Sequence, residues 1–414
     1  MIQQAELIST GAELLSGRSV NTHARLLGER LDQVGISLLR DTTVPDDQAV
    51  IESCISAAAT RVKLIFISGG LGPTNDDVTR DAVAAVTGRP IVMHQPALAE
   101  LHERMKRAGR SITPARERQA LVIDGASIWL NPAGAAPGEC IEHDDAYFIL
   151  LPGPPNEFEA ILDTHVLPWL QQLNSGAPAL RKRVLMTCGT AEGDIVDRFE
   201  KSNFPPAGIE TAYCASAGRV EIRLHPIGGT SDDALDAAQE EAVRIVGPEF
   251  VYARERTSLA ELLARELTAR GQTLATAESC TGGLIAERLT DRPGSSAYFR
   301  GGIVAYADEI KQRLLGVSPE TLATEGAVSE QVAREMASGV QARLGVDYAI
   351  AVTGIAGPSG GSAEKPVGLV FSAIAQPTGV DCYRDVFPGN RRTIRELTYQ
   401  YTLMRLWQCL RDKA

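Results

Sequence analysis

Ser279 and Cys280 lie in the stretch Ala277-Glu278-Ser279-Cys280-Thr281-Gly282-Gly283, between an apolar run and the start of a helical pattern. A hydroxyl or thiol on such a strand-to-helix turn is aimed outward for nucleophilic attack. The helix start behind it offers free N–H groups and partial positive charge to an anion. The same residues would also be expected if Ser279 or Thr281 only capped the helix. The histidines stand at 23, 94, 102, 143, 165 and 225, so none falls in the region from 257 onward, and a Ser-His-Asp triad within it is excluded. A serine there needs another base, and a lysine made less basic by desolvation or a neighbouring cation is the usual substitute. The candidates are Lys311, five residues after Tyr306, and Lys365, in a loop of small residues. Each also reads as a solvated lysine, Tyr306 as a core or rim aromatic, and Cys280 as a buried apolar thiol.

A second chemical stretch, Gly69-Gly70-Leu71-Gly72-Pro73-Thr74-Asn75-Asp76-Asp77, follows the apolar run Lys63–Ser68. Glycines there let backbone approach a phosphate, and Asp76 and Asp77 supply carboxylate oxygens for a divalent metal. It lacks the Gly-Lys-Ser/Thr of a Walker loop and is not GxGxxG. The bland alternative is a tight turn with an acidic helix start.

These residues require elements that present them. At 414 residues the chain is long enough for two or three cores, and 44% hydrophobic with 22% charged residues is ordinary for a globular protein. Strand, helix and strand alternate through the first region, ending in a continuous apolar run of the kind buried in a parallel sheet, so an open α/β sheet with ligands at its carboxyl ends is expected. Residues 178–252 read as a small α+β module, with strands at Leu180–Met186 and Arg219–Leu224, the latter facing water on one side, and helices at Glu192–Lys201 and Asp232–Val246. Residues 257–414 return to α/β, with Ser258 capping a helix, strands before Ser279 and Thr353, and a loop at Ser359–Pro366 able to close over a substrate. Seven scattered cysteines form no CxxC pair, which indicates reduced thiols rather than disulfides or a zinc knuckle. A net charge of -11 disfavours a nonspecific grip on nucleic acid. The start MIQQAELIST carries no signal-like pattern and no apolar run reaches spanning length, so a cytoplasmic protein with no membrane partner is expected.

Several ordered motifs carry a resemblance. STGAELLSGRSVNT, GGLGPTNDDVTRDA, NPAGAAPGE and LLPGPPNEF are similar to the molybdopterin-binding-like domain of the CinA family. AESCTGG, GGIVAYADEIKQRLLGV, GAVSEQVAREMA, VTGIAGPSGG, EKPVGLV and FPGNRRTIRE resemble the CinA C-terminal domain. The resemblance implies a MoaB/MogA-like fold over 1–172, a KH-like α+β linker over 178–252 and a nicotinamide-nucleotide amidase domain over 257–414. For the last it implies hydrolysis of the carboxamide of nicotinamide mononucleotide to nicotinate mononucleotide and ammonia. Ser279 would be the nucleophile, Lys311 the general base, Tyr306 a relay, and Thr353 a holder of carboxamide or lysine. Backbone donors around Cys280, Thr281, Gly282 and Gly283, with Gly354 and Arg391, would bind substrate, and no cofactor is needed.

For the first domain the resemblance implies nucleotide binding by Glu13, Gly69, Gly70, Gly72, Thr74, Asn75, Asp77 and the Gly153–Glu157 stretch. Some members there hydrolyse ADP-ribose with a divalent metal, held here by Asp76 and Asp77. Position 12 is Ala, where related domains often carry Asp or a hydroxyl residue. In the middle module the turn Gly189-Thr190-Ala191-Glu192-Gly193 is longer and more acidic than a GXXG clamp, so a spacer or dimer contact is expected instead of nucleic-acid binding. The family further suggests a homodimer. The competing class is a non-catalytic competence or DNA-damage interaction protein, its first domain binding a nucleotide or molybdopterin.

Overall fold

The computed structural model describes residues 2–174 and 182–411, which form two compact units divided at Leu180. The expected boundary at 172–178 and the first residues of the strand expected from Leu180 touch the stretch outside the described residues. All seven cysteines are free.

In the first unit, β1 (Gln4–Thr10), α1 (His23–Gln33), β2 (Ser37–Val44), α2 (Gln48–Ala59), β3 (Leu64–Ser68), α3 (Thr79–Thr87), β4 (Ser127–Trp129), β5 (Gly138–His143), β6 (Ala146–Leu151) and α4 (Pro155–Ile161) follow in chain order. The sheet order is β2-β1-β3-β6-β5-β4, with the first four parallel and the last two antiparallel. Because side chains alternate across a sheet, one face gathers Leu7, Leu64, Phe66 and Ile149 against Leu27 and Leu31 of α1 and Phe158 of α4. The other face gathers Ile8, Ile65, Ile67 and Phe148 against Ile51 and Ile55 of α2 and Val83 of α3. Helices on both faces explain why β3 is buried at every position and apolar up to its last residue, Ser68. The buried pair Arg80–Glu139, 2.6 Å apart, pins the start of α3 to β5, and Arg80 also donates to Leu71 O at 3.1 Å.

The second unit opens with β7 (Arg183–Cys188), α5 (Glu192–Lys201), β8 (Ile209–Ser216), β9 (Arg219–Pro226), α6 (Asp232–Val246) and β10 (Val251–Ala253), whose antiparallel sheet runs β8-β9-β7-β10. The expectation that β9 shows one face to water is corrected. Val220, Ile222 and Leu224 pack with α5 and α6, and on the opposite face Glu221 is also buried, bonded to Arg223 at 2.6 Å. That face is covered because Val184, Met186, Cys188 and Tyr252 share one core with Leu259, Leu263, Leu403 and Leu410. The middle module and the C-terminal region therefore form one unit, and the expected boundary at 252–257 crosses a common core.

The rest of the unit comprises α7 (Leu259–Ala269), β11 (Leu274–Glu278), α8 (Leu284–Thr290), β12 (Phe299–Val304), α9 (Asp308–Leu315), α10 (Pro319–Glu325), α11 (Glu330–Leu344), β13 (Tyr348–Gly354), β14 (Leu369–Gln376), β15 (Gly379–Val386) and α12 (Arg391–Arg411). The sheet order is β12-β11-β13-β14-β15, with β12, β11 and β13 parallel. Its alanine-rich face, Ala275, Ala277, Ala349 and Ala351, packs against Val332, Met336 and Val340 of α11, while its bulkier face meets α7 and α12. Ser258 accepts from Glu261 N at 3.1 Å, the cap expected for α7. Among the described residues no helix is long and apolar enough to cross a membrane.

Candidate functional site

The carboxyl ends of β11, β12 and β13 converge on Ser279. Ser279 N donates to Val352 O at 3.0 Å and Ala305 N to Glu278 O at 2.8 Å, so the turn after β11 is held between the ends of its two parallel neighbours. This is where an open α/β sheet presents a ligand crevice. The helix after Ser279 is capped by neither Ser279 nor Thr281. Glu278, 1% exposed, accepts from Gly283 N at 2.9 Å, Ile285 N at 3.1 Å and Ala286 N at 2.8 Å, satisfying donors that a helix start otherwise leaves orphaned. Gly283 has φ +94, which favours glycine at this bend.

The turn's donors are divided. Gly282 N donates to Ser279 O at 3.1 Å, and Gly283 N belongs to Glu278, so neither is free for an oxyanion. Among the described residues the amides of Cys280 and Thr281 meet the Cys280 thiol, a weak acceptor. Burial pushes that thiol up to about 12, and its side chain packs with Ala356, Val370, Phe387 and Ile394. Cys280 is thus packed as an apolar core residue, and its burial disfavours the thiolate. Thr281 O accepts two bonds from Arg395, at 3.1 and 2.5 Å, a tie from α12 that sequence reasoning missed.

Lys311, 1% exposed, donates to Tyr306 O at 3.2 Å and Asp308 Oδ1 at 3.1 Å; no hydrogen bond joins it to Ser279 among the described residues. Tyr306 is exposed, and its hydroxyl accepts from Arg391 at 3.0 Å, while Arg391 also donates to Gly357 O at 3.0 Å. Thr353 is buried at the end of β13, where its hydroxyl donates to Ala327 O at 2.7 Å. A side chain on Gly354 would meet Leu369 O at 2.7 Å, so this glycine serves the β13–β14 crossing. Lys365 donates to Glu325 O at 2.6 Å and closes the end of α10. The Ser362–Lys365 turn is internally bonded, which gives this part of the loop a fixed shape.

In the first unit a cavity of about 520 Å³ opens at the carboxyl ends of β1 and β3. Glu13, Gly69, Gly70, Gly72, Asp76, Asp77, Gly153 and Glu157 line it, as do His23, Ser68 and Asp46, which sequence reasoning did not single out. Gly69 and Gly70 have φ +99 and +63, and a side chain on Gly70 would strike Thr79 Oγ1 at 2.2 Å, so backbone alone fits there. Thr74 and Asn75 shape the loop itself. Thr74 donates to Asp77 through its amide at 2.8 Å and through its hydroxyl, and Asn75 accepts from Arg118 at 2.7 Å. Hydrogen bonding within this loop, from Thr74 and from its own amide, lowers the Asp76 carboxyl.

The Ala12 amide donates to Asp46 at 2.9 Å, so a carboxylate stands beside the position where related domains carry one in sequence. Burial raises the Glu157 carboxyl against the opposing Asn131 hydrogen bond. His23 stacks on Phe158 with centroids 4.3 Å apart, and burial lowers its ring below the ordinary value. Its Nδ1 lies 2.7 Å from Ser68 Oγ, and the ring also bonds the Gly153 carbonyl. A carbonyl only accepts, so a neutral ring donates there and accepts from Ser68. Among the described residues no group of three His, Cys, Asp or Glu is arranged to hold a metal. With Asp77 turned toward Thr74, these side chains do not make a metal cage of their own.

The fold and these two sites define a two-part α/β protein. Residues 6–172 match the family described as "Probable molybdopterin binding domain", and residues 256–410 match the "CinA C-terminal domain". A competence-damage inducible protein of Moorella thermoacetica is 42% identical over 413 residues, covering 99% of this chain and 100% of that one. A CinA-like protein of Geobacter sulfurreducens is 40% identical over 401 residues, covering 94% and 95%. The solved competence/damage inducible protein CihA from Agrobacterium tumefaciens is 46% identical and covers 37% of this chain and 93% of its own, with a TM-score of 0.36. The chain belongs to the CinA family.

Proposed function

We propose that the second unit hydrolyses the carboxamide of nicotinamide mononucleotide. The observation that carries this reading is the turn that holds Ser279 between the ends of β12 and β13, with the buried Lys311 side chain bonded to the Tyr306 carbonyl and to Asp308 just past the end of β12. In the reaction Lys311, once it has passed its own proton to solvent and released Asp308, takes the Ser279 proton as Oγ bonds to the carboxamide carbon. The Cys280 and Thr281 amides then turn from a weak sulfur acceptor to the developing oxyanion. Collapse breaks the C–N bond, Lys311 returns its proton to the departing ammonia, and an acyl-serine remains. A water activated by Lys311 cleaves the ester and releases nicotinate mononucleotide. Arg391 and Tyr306 form an exposed rim suited to the ribose phosphate. The missing Ser279–Lys311 hydrogen bond is compatible with this reading, because catalytic hydrogen bonds often tighten only with substrate bound.

The test is ammonia release by purified protein. Ser279→Ala and Lys311→Ala should each lose at least about a hundredfold in kcat with the circular dichroism spectrum retained, since each removes an acid–base or nucleophilic group. Lys365→Ala should keep its activity. Unchanged turnover in Ser279→Ala, or loss confined to Lys365→Ala, overturns the assignment.

The glycine-lined cavity of the first unit supports a second reading there, a nucleotide site for ADP-ribose. Calorimetric titration with ADP-ribose should show binding without added metal, and an assay for AMP with and without divalent cation separates a binding module from a pyrophosphatase. Absence of binding under both conditions overturns this reading.

A further inference from the structure

We propose that the second unit carries a binding site for a small phosphorylated dianion, in the cavity between the β8–β9 hairpin and helix α12. The cavity holds about 480 Å³, within the range of small-molecule sites. The hairpin tip closes tightly over the helix: a side chain on Gly218 would meet Leu397 and Gln400 at 3.2 Å each. Arg219, Arg288, Arg292 and Arg392 line the cavity, with Asp291 and Glu396 as its carboxylates.

The charges do not cancel. Asp291 and Glu396 both pair with Arg288, at 3.6 and 3.3 Å, and Arg292 pairs with Glu261 at 2.8 Å. Arg219 bonds Ser216 Oγ at 3.3 Å and the Tyr252 hydroxyl, both neutral. The four arginines of the cavity and the three carboxylates paired with them, Asp291, Glu396 and Glu261, leave an excess of one positive charge, and Arg219 and Arg392 have no carboxylate of their own among the described residues. Guanidinium matches phosphate oxygens bidentately, and a phosphomonoester near neutral pH carries close to two negative charges. A pocket of this size accommodates a small ligand, whereas a polymer needs an extended basic stripe.

The experiment is isothermal titration of the full chain with AMP and, separately, with inorganic phosphate. The wild type is compared with Arg219→Gln, Arg392→Gln, the double variant, and Arg110→Gln in the first unit as control. Each cavity substitution should weaken one binding event about tenfold, as expected for a charge-assisted hydrogen bond, and the double variant should abolish it while the control leaves it intact. AMP binding without phosphate binding identifies a nucleotide, and binding of both identifies the phosphate as the recognised group. No titratable event in the wild type, or affinities equal in all variants, overturns the proposal. So does arginine-dependent retention of a single-stranded oligonucleotide without AMP binding. Should Arg219→Gln fail to fold, the exposed Arg392→Gln decides alone.

Discussion

Glu278 shows how one side chain sets the geometry of the candidate nucleophile. It ends β11 fully buried, and its carboxylate takes three N–H groups of the helix start. A charged acceptor in that position is worth more than a hydroxyl cap, and its removal would leave three donors without partners. Glu278→Ala should therefore destabilise the second unit by about 2–4 kcal/mol, and Glu278→Gln by less, because one amide oxygen can still accept. Urea unfolding followed by tyrosine and tryptophan fluorescence measures both, and equal stability of Glu278→Ala and wild type would refute the role. The sequence made the turn legible but not its cap. Capping rules look three residues ahead of a Ser or Thr, whereas this cap spans five to eight residues from a strand end. Arg395 was illegible for a related reason, since its bond to Thr281 joins residues 114 apart.

Among elements, buried strands were the easiest to read, because helices on both faces make their side chains mostly apolar, with polar ones such as Ser68 and Glu278 at the carboxyl ends. That reasoning found β3, β11 and β13 and placed both glycine loops at carboxyl ends. It failed for β9, where alternation suggested a wet face; Glu221 there is buried beside Arg223 under a neighbouring element the local pattern does not reveal. Helix α1 carries a further consequence. Its first residue, His23, is buried between Ser68, Gly153 and Phe158, and desolvation lowers its ring below the ordinary 6.5. The folded state then binds that proton less readily than the unfolded chain. Stability from the neutral ring is full above about pH 6.5 and declines as pH falls from there to the depressed folded value, where the ring protonates in place. Glu157 and Asp41, both raised by burial, act in the opposite sense nearer the carboxylate range. Differential scanning calorimetry of wild type against His23→Gln isolates the histidine. The wild-type Tm of the first unit should fall more steeply below about pH 6.5 than that of the variant. Parallel pH profiles would contradict a neutral buried ring.

At the scale of the molecule, the three expected domains fall into two compact units, because the middle sheet, besides the core it builds with α5 and α6, shares a second core with α7 and α12. One of its faces is completed by α5 and α6; the other is completed by α7 and α12, through Met186, Cys188 and Tyr252 against Leu259, Leu263 and Leu403. Sequence spacing marked Tyr252–Thr257 as polar and short, but a short polar stretch separates domains only if the cores on either side are separate, and that depends on contacts made across some two hundred residues. The consequence is testable through unfolding. Leu403, fully buried in the shared core, belongs to α12, yet its truncation should loosen the middle sheet as much as the helix. Leu403→Ala should cost about 2–5 kcal/mol, the range for a buried leucine. Hydrogen exchange read by mass spectrometry should show β7, β10, α7 and α12 losing protection together, while the β1–β3 strands of the first unit keep theirs. Protection lost in α12 but retained in β7 and β10 would mean that the middle module folds by itself, and that the chain has three cooperative units after all.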